Sequence, residues 1–120
     1  MTKVKQILER VARVRPIAFE DEVQIEWIAE LDGQLREWAV ENFITAVEVL
    51  ETYDSDTELM VAYPHDRVYD LYILAQADAM GKETDFNNSA MIFNSALDEF
   101  KKWYHRRNER AERKAFFNIW

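Results

Sequence analysis

The residues best suited to chemistry are few. His65-Asp66 and Asp70 offer one imidazole and two carboxylates within six positions, and Asp66 and Asp70 stand at i, i+4 on one helix face. That is the beginning of a metal site, yet such sites gather three or four convergent ligands. The plainer reading makes Asp66 a helix cap and His65 a loop residue. The pairs Glu26/Glu30 and Glu37/Glu41 resemble the helical carboxylates of metal-dependent hydrolases, but without a matching second set they read as the solvated outer face of a helix. With two glycines in the chain, neither a phosphate-cradling loop nor Gly-x-Ser-x-Gly can occur, and His-Glu-x-x-His is absent. Zero cysteines exclude a thiolate nucleophile, a thiolate metal site and a disulfide framework, and nothing suggests an oxidising compartment. No enzyme is expected: no catalytic residue, cofactor or metal is assigned. Asn87-Asn88-Ser89 fits a glycosylation sequon, but without a secretory signal it reads as helix surface or an inter-helix hydrogen-bonding patch.

The elements that would position these residues are helices. Two glycines and two prolines in 120 residues argue against a turn-rich sandwich or barrel, and this length holds one hydrophobic core. Thr2 can cap a first helix to about Val14, with Val4, Ile7, Leu8 and Val11 as its apolar stripe and Pro16 as its stop. Glu20-Asp21-Glu22 suits the start of a second, carrying Ile25, Ile28, Leu31, Leu35 and Trp38 to about Asn42. Gly33 inside it either admits a close backbone or is merely tolerated. Between Phe43 and Ala62 the β-branched run Ile44 to Val49, the turn residues Asp54-Ser55-Asp56 and the apolar Leu59-Met60-Val61 predict a small β-hairpin, with a helical extension as the alternative.

Asp66 opens a third helix, apolar nearly all round, which places it at the centre of the bundle or between copies, and Gly81 is its natural stop. A fourth begins near Thr84 and runs to Asn108 or beyond. Its seam Phe86, Ala90, Phe93, Leu97, Phe100 and Tyr104 is widened by Ile92, Ala96 and Trp103 enough to meet more than one neighbour. The expected fold is mainly α: a four-helix bundle-like subunit with a long C-terminal helix. Residues 1–108 form the helical domain and 109–120 a basic-aromatic tail.

Charge is unevenly placed. Residues 1–15 carry five cations against one acid and residues 101–114 seven against two, whereas the stretch between holds twenty acids and three cations. The overall charge of −8 disfavours non-specific adhesion to phosphate backbones. The C-terminal cations read either as a solvated helix face or as a contact surface. Phe116, Phe117, Ile119 and Trp120 are large apolar side chains that should dock, on the chain's own core or on a partner, because each is worth about 1.5–3 kcal/mol on burial. The polar, charged N-terminus is no signal peptide and no 18-residue apolar run occurs, so a soluble protein made in a cytoplasm is expected, with no membrane partner.

Several motifs occur in a familiar order. Glu26-Trp27-Ile28-Ala29-Glu30-Leu31-Asp32-Gly33 comes first, then Leu59-Met60-Val61-Ala62-Tyr63-Pro64, then Tyr69-x-x-Tyr72-x-x-Ala75-Gln76-Ala77-Asp78. Asn87-Asn88-Ser89-x-x-x-Phe93-Asn94 and Phe100-x-x-Trp103-Tyr104 complete the series. Together, over roughly Phe19 to Arg107, they resemble the head-tail connector (adaptor) proteins of tailed phages and prophages. The resemblance implies a structural virion protein: a helical subunit that forms a ring beneath the portal, extends the DNA channel and seats the next connector or tail-completion protein. It would reside at the head-tail interface of the virion after assembly in the host cytoplasm. It brings no catalytic residues. The chain departs from the pattern at His65, where an aromatic often follows the proline, and in the tail after Asn108.

An acidic channel would let DNA slide where a basic one would grip it, so genomic DNA is expected to pass without specific binding. Surplus apolar surface on the third and fourth helices suits a homo-oligomeric ring, although the subunit alone can be monomeric. The expected portal anchors are Arg106, Arg107, Arg110 and Arg113 on an acidic surface, with Phe116, Phe117, Ile119 and Trp120 in apolar pockets. Two other classes stay open: a small DNA-binding packaging or regulatory protein using the basic termini, and a metal-dependent hydrolase built on helical carboxylates.

Overall fold

The computed structural model describes residues 1–43, 46–81 and 83–119, with side chains described for 1–43, 46–81 and 86–108. Four helices carry the chain: α1 (Val4–Val14), α2 (Asp21–Asn42), α3 (Arg67–Ala79) and α4 (Glu83–Ile119). Each follows from its apolar spacing. In α1, Val4, Ile7 and Val11 are buried, and the chain turns extended at Arg15, ahead of Pro16. In α2, Trp27, Ile28, Leu31, Leu35 and Ala39 face inward, while Asp21 and Glu22 sit in the first turn, where the helix dipole favours negative charge.

The helix that is apolar all round takes the central place. α3 packs against α1, α2 and α4 and buries Val68, Tyr69, Ile73 and Ala75. α4 lies along α3, with Phe93 and Phe100 buried and the Phe93 ring 5.0 Å from that of Tyr72. Its 37 residues, at a rise of about 1.5 Å each, match the 56 Å long dimension of the molecule. It meets α2 through an aromatic cluster at that helix's C-terminal end, where Trp38 lies 5.4 Å and Phe43 5.2 Å from Tyr104. Full burial of Ile7, Ile28 and Ile73 removes apolar surface worth about 1.5–3 kcal/mol per side chain.

The hairpin does not form; among the described residues there is no strand, and Ile44 and Thr45 lie outside them. Residues 46–66 instead make an extended strap. The physical reason is competition for backbone partners. Val4 N–H donates to Thr57 O at 3.1 Å, Lys5 N–H to Ser55 O at 2.9 Å and Leu59 N–H to Thr2 O at 2.8 Å, so the second limb pairs with the start of the chain. A single antiparallel bridge joins Lys3 and Glu58. The turn between the limbs does form, with Asp56 N–H donating to the Asp54 carboxylate at 2.9 Å.

Three smaller expectations are also corrected, whereas Gly81 does stand at the stop of α3. Thr2 does not cap α1: Lys3 holds the cap position, and its N–H donates to Gln6 Oε1 at 2.7 Å, while the Thr2 hydroxyl goes to Asp66. Asp66 stands at the N-cap of α3, but its side chain makes no cap hydrogen bond, being drawn to Thr2 and Arg10. Gly81 closes α3 by donating to Asp78 O at 3.0 Å, without the positive φ that would require glycine. Ile92 is 49% exposed and does not widen the packed face of α4.

Candidate functional site

Two buried polar clusters hold the fold together. The first centres on Asp32, fully buried in α2. It accepts from Arg36 Nε at 2.7 Å, from the hydroxyls of Tyr53 and Tyr69 at 2.6 Å each, and from Met60 N–H at 2.9 Å. Arg36 completes the network by donating to Glu48 O at 3.0 Å and Glu58 O at 2.9 Å, so its two terminal guanidinium nitrogens fasten the strap to α2 while Nε holds Asp32. Burial pushes the Tyr53 and Tyr69 hydroxyls well above the ordinary tyrosine range, and the charge of Asp32 pushes the same way. Burial pulls the Arg36 guanidinium down, but Asp32 outweighs it and the net shift is upward.

The second cluster joins α1 to α3. Arg10 grips Asp70 with two nitrogens, Nε at 2.6 Å and Nη2 at 2.7 Å, and its Nη1 stands 3.4 Å from Asp66. The hydrogen bond to Asp70 raises the Arg10 pKa further. Four residues beyond α1's last turn of buried side chains, Arg15 Nη2 reaches Asp78 at 2.9 Å, and Ser89 of α4 donates to the same carboxylate. The i, i+4 pair Asp66/Asp70 is therefore answered by a guanidinium. Among the described residues no group of three or more His, Asp or Glu is placed to hold a metal ion.

His65 packs its ring 4.7 Å from Trp103 and 6.0 Å from Phe100, covering the aromatic face of α4. A cavity of about 510 Å³ lies under the strap beside Arg36, walled by Val47, Leu50, Leu59 and Met60. Three of the five Arg36 N–H donors beside this cavity are committed to Asp32, Glu48 O and Glu58 O.

With those groups engaged inside the fold, the outward chemistry lies on two helix faces. On α2, the exposed Glu22, Glu26, Glu30, Glu37 and Glu41 fall within an arc of about 100° and along about 28 Å of helix. They form an acidic stripe with Gly33 at its middle. A Cβ at Gly33 would meet nothing within 4 Å, so among the described residues no backbone approaches it closely. On α4, Lys102, His105, Arg106 and Arg107 are exposed, and Lys101 lies over the Trp38 ring at 5.3 Å. Met91, further back on the same helix, is 70% exposed.

Of the expected portal anchors, Arg106 is exposed and Arg107 lies over the Trp103 ring at 5.3 Å. α4 continues unbroken through Arg110, Arg113, Phe116, Phe117 and Ile119, whose side chains, like Trp120 as a whole, lie outside the described residues. The structure brings Asp66 and Asp70 together on Arg10 and leaves Glu26, Glu30, Glu37 and Glu41 on the surface. Sequence reasoning missed the Asp32 cluster. Its signal was available: Asp32 and Arg36 stand at i, i+4 within the buried stripe Ile28, Leu31, Leu35, where two charges must pair. Compared with protein-family models, with curated proteins and with solved structures, the chain matches none.

Proposed function

We propose that this chain is a structural subunit of a phage or prophage head-tail connector. Copies of it would form a ring beneath the portal that extends the DNA channel and seats the next connector or tail-completion protein. Its place is the head-tail interface of the virion, reached after assembly in the host cytoplasm. The observation that carries this reading is the division of charge between two helix faces: an exposed acidic stripe along α2 and a run of cations on the far half of α4. Facing a channel, the α2 glutamates repel phosphate and let DNA pass without specific binding. The α4 extension offers a cationic, aromatic helix to an acidic groove on the portal, with Arg106, Arg107, Arg110 and Arg113 beside Phe116, Phe117, Ile119 and Trp120.

A structural role also suits the interior. Asp32, Asp66, Asp70 and Asp78, the buried carboxylates among the described residues, each bind a partner that joins two parts of the fold. Among the described residues no helix is long and apolar enough to cross a membrane. The ordered motif series from Glu26 to Tyr104 supports the same assignment.

The test is removal of residues 115–120. The truncated protein should keep its helical circular-dichroism spectrum and lose retention of the portal in a pull-down; undiminished retention contradicts the anchor. The exposed Arg106 favours a second reading, a DNA-binding packaging or regulatory protein. Against it, Lys5, Arg10 and Arg15, three of the five N-terminal cations, are bound to the chain's own aspartates. Salt-dependent retardation of duplex DNA by the intact chain would support that reading instead.

A further inference from the structure

Residues 86–97 of α4 contain no Asp, Glu, Lys or Arg, although such residues make up 32% of the chain. The inner side of this stretch is occupied: Phe93 is buried beside Tyr72 of α3, and Phe100, one heptad on, is buried as well. The outer side is open. Met91 is 70% and Ile92 49% exposed, and Asn88, Ser95, Asp98 and Lys102 are exposed around them. A solvated helix face carries charge, whereas depletion of charge around an exposed methionine marks the middle of a contact surface. Thr84, Asn88, Met91, Ser95, Asp98 and Lys102 follow one another at spacings of 4, 3, 4, 3 and 4, one straight stripe on the side of α4 opposite Phe93. The stripe is about 27 Å long, and its spacing is the same read from either end.

We propose that this stripe pairs with the same stripe of a second copy of the chain, antiparallel, about a two-fold axis at the level of Phe93. The symmetric spacing then sets Met91 of each copy against Ser95 of the other, Asn88 against Asp98, and Lys102 against the turn of helix from Glu83 to Asp85. Each match is complementary. The long methionine enters the space above a small residue, and Ile92 borders the contact on one side. Asp98 gives Oδ2 to its own Lys102 at 2.9 Å, which leaves Oδ1 to accept from the Asn88 amide of the second copy. Lys102 meets a turn that carries two acids. A parallel pair is disfavoured, because it sets Met91 against Met91 and both Asp98 and Lys102 against their own kind. One helix pair makes a small interface, so the dimer forms in a concentration-dependent way. The stripe ends before Arg106, so the pairing leaves the cationic extension outside it, and the proposal stands independently of the connector reading.

The test uses the full chain, which has no cysteine of its own. Sedimentation equilibrium should show a mass rising with concentration from 14.3 kDa towards twice that value. Met91→Glu, at an exposed position, should keep the circular-dichroism spectrum and dimerise at least tenfold more weakly. Cross-linking reads the register. Asn88→Cys and Asp98→Cys proteins, mixed and oxidised, should give a disulfide-linked dimer in at least tenfold greater yield than either protein alone. Only the mixture brings positions 88 and 98 of two copies together, whereas two copies of position 88 stand about 15 Å apart along the pair. In that mixed dimer the second contact, Asn88 with Asp98, stays intact. A mass that remains that of one chain at every concentration, undiminished dimerisation of Met91→Glu, or equal cross-linking in the mixture and the single-variant samples would overturn the proposal. A ring that forms while the cross-link fails also overturns it, and leaves the connector reading standing.

Discussion

The Tyr69 hydroxyl donates to Asp32 Oδ1 at 2.6 Å and accepts Val61 N–H at 3.0 Å, so one oxygen joins α2, α3 and the strap between them. Tyr69→Phe keeps the ring but leaves Val61 N–H buried without its acceptor and removes one donor from Asp32. The expected loss is about 1–3 kcal/mol of stability, read as a lower urea midpoint. An unchanged midpoint would mean that Arg36, the Tyr53 and Met60 contacts to Asp32 and the N-terminal backbone hold the strap without it.

Gly33 should be improvable in the isolated chain. It lies within α2 with open space where a side chain would begin. Gly33→Ala is therefore expected to stabilise by about 0.5–1 kcal/mol, through helix propensity and reduced freedom of the unfolded chain. Thermal unfolding checks this, and a fall in Tm would show that the position serves a contact the isolated fold does not contain.

Alkaline pH should weaken the fold through the Asp32 cluster. Tyr53 and Tyr69 hold their protons above the ordinary pKa of 10.0, so above that pH the native state binds protons that the unfolded state releases. Their contribution is complete below about pH 10 and declines as pH rises past it. Urea midpoints at about pH 8, 10 and 11 should fall slightly across the first interval and more steeply across the last. Tyr53→Phe should start lower, having lost a donor to Asp32, and decline less steeply. Parallel declines in the two proteins would place the alkaline sensitivity elsewhere.

The helices were legible because each states its own periodicity. Val4, Ile7 and Val11 define α1, and the seam from Phe86 to Tyr104 defines α4 without reference to the rest of the chain. The central place of α3 followed from apolar residues around its whole circumference. What periodicity does not encode is pairing over long sequence separations. Arg10 and Asp70 are 60 residues apart, and Thr2 and Asp66 are 64 apart, so the basic start of the chain read as open charge and Asp66 as a simple cap. The strap failed as a hairpin for the same reason: β-branched residues signal extended backbone but not which backbone it will meet, and here Thr2 to Lys5 and Arg36 took the partners. The surface stripe on α2 was visible as Glu26/Glu30 and Glu37/Glu41, because exposed charge at helical spacing needs no tertiary partner.

The central claim, assembly on a portal, is tested most directly by native mass spectrometry of the purified chain, alone and mixed with the portal encoded in the same genome. The account predicts either a closed ring of the chain itself or portal-bound copies in a number set by the portal's symmetry. A chain that stays monomeric and ignores the portal would contradict it.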